Sequence, residues 1–261
     1  MVLGLKAINS GVISTYPGEK LHGLFFDILK NANERLAEQV HEEDNYKPFT
    51  VSSILGKKTD RLIIIEKGRK YYIRITFLNE EVFNFFTIKI FKSKYSKEKL
   101  KINDLEFYIS NVIFHEKQSK WAGILTENEL LSTNYNNDVI KLRFYTPTLF
   151  RIGDKHLGYP FPDKVFKSLL KKFNKYAEFK INEDYANMFS DIEILNKRTY
   201  KKRVYMRNYY LDGFIGTVEY KIPTDDRNFF KVIHMLADFA FFSGVGYKTT
   251  MGFGQVKKLG E

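Results

Sequence analysis

Two α+β domains in tandem are what this sequence predicts, and three observations carry that reading. Helical and extended hydrophobic periods alternate along all 261 residues. The order strand, helix, strand, strand, helix, strand is met twice. A polar, asparagine-rich stretch separates the two runs. That order is the split βαβ, or ferredoxin-like, arrangement, and the division falls at residues 1–120 and 121–261.

In the first run, Leu21, Leu24, Phe25, Ile28 and Leu29 recur at helical spacing and predict a helix over 18–30. Asn31 and Asn33 punctuate it. Asparagine suits both a left-handed helix end and an N-cap, so a short second helix is expected over 34–40. RLIIIE (61–66) and KYYIRITF (70–77) have strand character and are joined by a turn at Lys67-Gly68-Arg69. A helix is expected over 80–91, although aromatic and β-branched residues weaken its pattern. LEFYISNVIF (105–114) returns to the strand period.

Residues 116–138 are polar and irregular and are expected to form a linker or crossover. The second run follows: a strand over 139–145, then a helix over 162–176 with Val165, Phe166, Leu169, Leu170 and Phe173 on one face. Two basic strands are expected over 198–211 and 214–222, turning at Asp212-Gly213. The last helix is expected over 226–242, and residues 255–259 can close the sheet.

The composition suits a packed core: 44% of residues are hydrophobic, with 24 Phe and 17 Tyr, and disorder is not expected. Lys and Arg number 42 against 31 Asp and Glu, a net charge of +11 that attracts a polyanion, nucleic acid or an anionic membrane surface. No apolar run approaches the ~20 residues of a membrane span, and the N-terminal apolar stretch is too short for a signal peptide. The chain has no cysteine, which removes disulfides and thiolate metal sites. A cytoplasmic protein with no membrane partner is expected.

The stretch SGVGYKTTMGFGQ carries Gly244, Gly246, Gly252 and Gly254. A nucleotide-binding glycine loop leads from a strand into a helix's amino end, where free N–H groups and the positive dipole face phosphate. Here the loop follows a helix and meets its carbonyl end, which favours cations. No GK[ST] closes it either, so no nucleotide cofactor is expected. Two readings stand level: a helix cap with a tight connection, or a loop lying along an RNA backbone, with Lys248, Thr249 and Thr250 between its glycines.

Three stretches also carry a family resemblance. GVGYKTTMGFGQV resembles the glycine-rich loop of RAMP-superfamily proteins, specifically the CRISPR-associated endoribonucleases that process precursor crRNA. LHGLFFDIL…LAEQVHEEDNYKPFTVS resembles their first helix, catalytic histidine loop and following strand. FYTPTLFRI and YPFPDKVFKSLLKKFNKY resemble their (S/T)PT strand and the helix after it. The resemblance implies tandem ferredoxin-like domains and metal-independent cleavage of CRISPR repeat RNA. The RNA's own 2′-hydroxyl attacks the adjacent phosphate, leaving a 2′,3′-cyclic phosphate and a 5′-hydroxyl. It implies no cofactor and delivery of the product to a CRISPR effector complex; a homodimer is left open.

His41 holds the family's catalytic position. On the residues alone it is a loop histidine at a helix carboxyl end, where the dipole and Glu42, Glu43 and Asp44 favour imidazolium. Lys47 matches the family's lysine, which neutralises the pentacoordinate phosphate. The family's tyrosine position holds Phe26, which has no hydroxyl, and Tyr46 is a candidate replacement. In one unbroken helix residues 26 and 41 would lie about 22 Å apart, so the break at 31–33 is a condition of the site. His22 lies near Phe26 in the first helix and is a weaker candidate. His234 reads as a core-edge residue, and His115 and His156 as structural or solvated. HEED (41–44) reads as a solvated acidic run rather than a metal site.

For RNA binding the densest basic stretch is NKRTYKKRVYMRN (196–208), with Lys197, Arg198, Lys201, Lys202, Arg203 and Arg207 for phosphates and Tyr200 and Tyr205 for stacking. Arg151, Lys248 and Thr249 are further candidates. Because Phe26 lacks a hydroxyl, an inactive repeat-RNA-binding relative stands as the alternative, with an unrelated basic RNA-binding protein behind it.

Overall fold

The structure is a computed structural model, which describes residues 1–13, 16–57, 62–222 and 226–260. The chain divides into two compact units. The first comprises Met1–Ile124, Tyr205–Tyr209 and Thr250–Gly252, and the second comprises Leu125–Val204, Tyr210–Thr249 and Phe253–Glu261.

In the first unit the chain runs β1 (Val2–Ala7), β2 (Gly11–Ile13), α1 (Pro17–Ala32), α2 (Glu34–Glu42), β3 (Phe49–Val51), β4 (Ile63–Ile65), β5 (Lys70–Phe77), α3 (Glu80–Ser96), β6 (Leu100–Ile102) and β7 (Leu105–Ile113). The main sheet has the order β3-β5-β1-β7-β6 and its pairs are antiparallel. Leaving out the short edge strand β6, that is the strand order of a split βαβ domain. Leu3, Leu5, Ile73 and Ile75 meet the buried stripe of α1 in a core centred on Phe25, whose ring stacks on Phe49 at 3.7 Å and on Phe86 at 4.9 Å.

The break between α1 and α2 falls at Asn33, as expected. Its backbone is extended (φ −159°, ψ 104°), and its side chain accepts from the Leu36 N–H at 3.1 Å. That hydrogen bond satisfies an orphan donor of α2 and lets the chain turn.

One expectation is corrected here. RLIIIE does not lie beside β5. Among its described residues only Ile63–Ile65 is extended, and it pairs with β2 in a separate two-stranded ladder, Ile63↔Ile13 through Ile65↔Gly11. Arg61 lies outside the described residues. The strand beside β5 is β3, three residues long, whose Thr50 is buried and shares a 2.6 Å hydrogen bond with Thr76. A strand that short, with a polar residue turned inward, has no alternation to detect. The turn into β5 stands, with Gly68 at φ +82°. Helix α3 runs five residues further than expected, to a left-handed Lys97.

The second unit runs α4 (Glu127–Ser132), β8 (Val139–Thr148), β9 (Phe150–Ile152), β10 (Lys155–Leu157), α5 (Pro162–Tyr176), β11 (Glu193–Tyr205), β12 (Tyr210–Lys221), α6 (Arg227–Ser243) and β13 (Val256–Lys258). A 3₁₀ stretch at Glu183–Asp191 follows α5. The sheet order β11-β12-β8-β13 repeats the split βαβ pattern. Helices α5 and α6 pack together, and α6 lies against β8 and β13.

Two more expectations are corrected in this unit. The region expected to be a linker contains α4, fixed by a reciprocal capping box between Thr126 and Glu129. The basic strands do not turn at Asp212-Gly213, which lie within β12. The turn is at residues 206–209, where the Met206 N–H donates to the Tyr209 carbonyl at 2.8 Å. Asp-Gly is a hairpin signal, but here each residue serves the sheet. Asp212 binds Arg203 on the neighbouring strand through two hydrogen bonds of 2.7 and 2.8 Å. A Cβ on Gly213 would stand 2.9 Å from the Thr148 backbone.

Candidate active site

His41 lies in the last turn of α2 with its side chain exposed. The helix end is closed by Lys47, whose Nζ donates to the carbonyls of His41 and Glu43. A lysine at a carboxyl end satisfies orphan carbonyls and meets the negative end of the dipole. The ammonium charge is thereby held at the backbone of His41.

The turn at Asn33 reverses the course of the chain. It folds α2 back so that the His41 ring meets the Phe26 ring edge to face at 5.2 Å. His22, one turn earlier on α1, meets the same ring at 5.0 Å and stacks near Phe49 at 5.9 Å. One phenyl ring thus contacts two imidazoles. His22 Nδ1 lies 3.2 Å from the Thr250 carbonyl oxygen, which can only accept. Nδ1 therefore carries the hydrogen, and in the neutral ring the basic lone pair is on Nε2. His22, the weaker candidate from the sequence, thus shares the Phe26 ring with His41. Its i, i+4 spacing to Phe26 was the available signal.

Burial raises the phenol of Tyr46 above its ordinary value. At neutral pH it stays protonated, so it can give a proton but not take one. Among the described residues no three of His, Asp and Glu converge as a metal-binding group. His234 is buried, with Nε2 2.7 Å from the Asn137 carbonyl and its ring on Tyr135 at 4.6 Å. It is a core histidine.

The basic residues separate into distinct settings. On β11, Lys197, Arg198, Lys201 and Arg203 are exposed and Lys202 is half-buried; Arg207 is exposed at the turn. Lys201 and Arg203 both hold Asp212, whose carboxyl is kept well below the usual range chiefly by the Arg203 hydrogen bonds. Part of their charge is spent inside the protein. Lys197 sits 4.0 Å over the Tyr159 ring. Arg151 on β9 and Lys248 lie 6.0 and 5.1 Å from the Tyr247 ring, which His156 also stacks against at 5.6 Å. Tyr247, which the sequence reading passed over, is the centre of that group.

The glycines of 243–255 serve the chain's own backbone. Gly246 has φ +82° and Gly254 φ +63°, and a Cβ on them would stand 2.3 Å from the Leu149 carbonyl oxygen and 2.0 Å from that of Val245. Thr249 faces inward: it is buried, and its Oγ1 lies 3.3 Å from Lys172 Nζ. Lys172 is itself only 3% exposed and also donates to the carbonyls of Ser243 and Gly244 at 3.0 and 3.1 Å. It closes the end of α6 from within.

Burial lowers the Lys172 amine to about 7 from 10.5. Between those values the unfolded chain binds the extra proton, so this group makes stability rise with pH, by at most about 1.4 kcal/mol per unit. Denaturant midpoints at pH 7 and 9.5 should therefore show the wild type gaining on a Lys172→Met variant. Parallel changes in the two proteins would contradict the assignment.

Residues 1–132 match the CRISPR Cas6 N-terminal domain model and residues 142–256 the model of the CRISPR-associated endoribonuclease Cas6. The chain belongs to the Cas6 family. It is therefore an endoribonuclease of crRNA processing by family. It is similar to the CRISPR-associated endoribonuclease Cas6 of Streptococcus thermophilus, 22% identical over 91% of this chain and 89% of the relative. Among solved structures, a Thermus thermophilus Cas6 in its product complex aligns with a TM-score of 0.85, at 25% identity over 99% of both chains. A second Cas6 product complex aligns at 0.79, with 23% identity over 100% of both chains. A Cas6-related protein from Pyrococcus furiosus aligns at 0.63, with 19% identity over 100% of this chain and 99% of its own. The tandem ferredoxin-like architecture is that of the Cas6 fold. Among the described residues no helix is long and apolar enough to cross a membrane.

Proposed function

We propose that this Cas6 protein cuts the repeat RNA of precursor crRNA in the cytoplasm, without a metal ion, and passes the product to an effector complex. The observation that supports it most is that two imidazoles, His22 and His41, both touch the Phe26 ring. The reaction needs a base at the 2′-oxygen and an acid at the 5′-oxygen. His22, with Nδ1–H directed to the Thr250 carbonyl, takes the 2′-hydroxyl proton on Nε2. The 2′-oxygen forms its bond to phosphorus and the bond from phosphorus to the 5′-oxygen breaks. His41, at the carbonyl end of α2, gives its proton to the leaving 5′-oxygen. The Lys47 ammonium, held at the His41 backbone, supplies positive charge near the developing phosphorane. The second imidazole supplies what a hydroxyl at position 26 would have offered, and Tyr46 is a reserve proton donor. The exposed residues of β11 and the group around Tyr247 hold the RNA backbone.

Incubating the protein with its host's repeat transcript in EDTA tests this reading. The expected products carry a 2′,3′-cyclic phosphate and a 5′-hydroxyl. Salt-sensitive binding without cutting would select the inactive-relative alternative, and cutting only after a divalent cation is restored would reject the metal-free route.

A further inference from the structure

Three residues of α1, Gly18, His22 and Phe26, follow one another at intervals of four and so line one edge of the helix. Phe26 makes the contact with His41, and His22 the contact with the Thr250 carbonyl. Gly18, a turn earlier, is buried, and a Cβ there would overlap the Met251 carbonyl oxygen and stand 2.7 Å from its carbonyl carbon. Two successive carbonyls of the segment Thr250–Gly252, which belongs to the first unit, therefore meet residues one turn apart on α1: Met251 meets Gly18 and Thr250 meets His22. A second glycine constrains the same segment. Gly252 has φ +83°, and a Cβ on it would stand 2.8 Å from the Ser53 backbone nitrogen and 2.9 Å from the Tyr16 hydroxyl oxygen. Helix propensity alone favours alanine over glycine at position 18, but the space where its methyl would sit is filled by backbone.

We propose that Gly18 is a positioning residue for cleavage: its bare backbone seats the Met251 carbonyl on the first turn of α1, and that seat sets where the Thr250 carbonyl reaches His22 Nδ1. The inference rests on the base role proposed for His22. A neutral imidazole left to itself keeps its hydrogen mainly on Nε2, with the lone pair on Nδ1. A carbonyl fixed at Nδ1 reverses that preference, because it can only accept. The lone pair then falls on Nε2, the atom that takes the 2′-hydroxyl proton. A methyl at position 18 pushes the Met251 carbonyl off the helix, and the Thr250 carbonyl, one peptide unit away, moves with it. The ring then loses the partner that selects its tautomer, and its hydrogen returns to the nitrogen that should be the base. Gly18 has no side chain of its own to offer the reaction, so its influence runs through His22.

Nitrogen NMR of the full chain, isotope-labelled at its histidines and kept at mildly alkaline pH without RNA, reads which ring nitrogen carries hydrogen; a His22→Gln variant assigns the signals. The wild-type His22 ring should carry it on Nδ1, and Gly18→Ala should move most of the population to Nε2. Single-turnover cleavage of the repeat transcript should fall by at least about tenfold in Gly18→Ala, part of what a general base contributes, while the half-saturating protein concentration stays within about twofold. In a His22→Ala background the same change at Gly18 should cost less than about twofold, because the group it acts through is gone. Gly252→Ala should reproduce the tautomer shift from the segment's own side. Gly23→Ala, exposed on the same helix with nothing within 4 Å of a Cβ, should leave ring and rate unchanged. A wild-type ring with its hydrogen on Nε2 would overturn the proposal, and that measurement needs no variant to fold. So would a Gly18→Ala ring indistinguishable from wild type, or an equal loss of rate with and without His22. Full activity of His22→Ala would overturn the base role and this inference together; a slow His22→Ala beside an unchanged tautomer in Gly18→Ala would overturn this inference alone.

Discussion

His41→Ala should leave repeat binding intact while single-turnover cleavage falls by about 10²- to 10⁴-fold, the range lost with a general acid or base. Binding should survive because His41 is exposed at the end of α2, and the hydrogen bond that starts that helix comes from Asn33. The Lys47 bond to position 41 uses the backbone carbonyl, which alanine keeps. A loss of rate without a loss of affinity is therefore expected. His22→Ala should produce a comparable fall, and the double variant less than the product of the two, because base and acid act together in one displacement. A His41→Ala enzyme near the wild-type rate would reject the site. Loss confined to His41, with His22→Ala fully active, would keep the site and remove His22 from it.

Gly254→Ala should be among the most damaging single changes in the chain. The added methyl would meet the Val245 carbonyl oxygen at 2.0 Å, at a backbone φ of +63° that side chains rarely adopt. The contact is with backbone, so no rotamer relieves it. The position is also tied on both sides, its N–H to the Pro147 carbonyl at 3.0 Å and its carbonyl to the Val245 N–H at 2.9 Å. Shifting it breaks the approach to β13, and a cost above about 3 kcal/mol is expected. Gly23→Ala is the contrasting case. It lies within α1 with nothing within 4 Å of a Cβ, so it should stabilise by roughly 0.5–1 kcal/mol. Denaturant midpoints decide both. A tolerated Gly254→Ala would mean that the loop is looser than these contacts require.

What the sequence showed and what it hid divide along physical lines. Helices α1, α5 and α6 were legible because their buried stripes are long and their ends are marked, by Pro17, Pro162 and Asp226. The break at Asn33 was legible for the same reason: capping is a local interaction. Strand β3 was not, because a three-residue strand held by a buried threonine pair has no period. Asp212-Gly213 misled because the signal for a hairpin turn is also what a cross-strand ion pair and a close strand approach require. At the site, the partnership of His41 with Phe26 follows from the helix break. His22's share depends on the carbonyl of Thr250, 228 residues away, which no local pattern could supply. The glycine loop was undecided in the sequence; Gly246 and Gly254 each lie too close to a backbone carbonyl of the chain to take a side chain.

The most direct test of the central claim is a repeat RNA in which only the nucleotide 5′ to the scissile phosphate is changed to its 2′-deoxy form. If two imidazoles pass protons to and from the RNA's own oxygens, this substrate should bind as the unmodified repeat does and remain uncut. Cleavage of the 2′-deoxy RNA at an undiminished rate would show that water or another group is the nucleophile, and the mechanism assigned to His22 and His41 would be wrong.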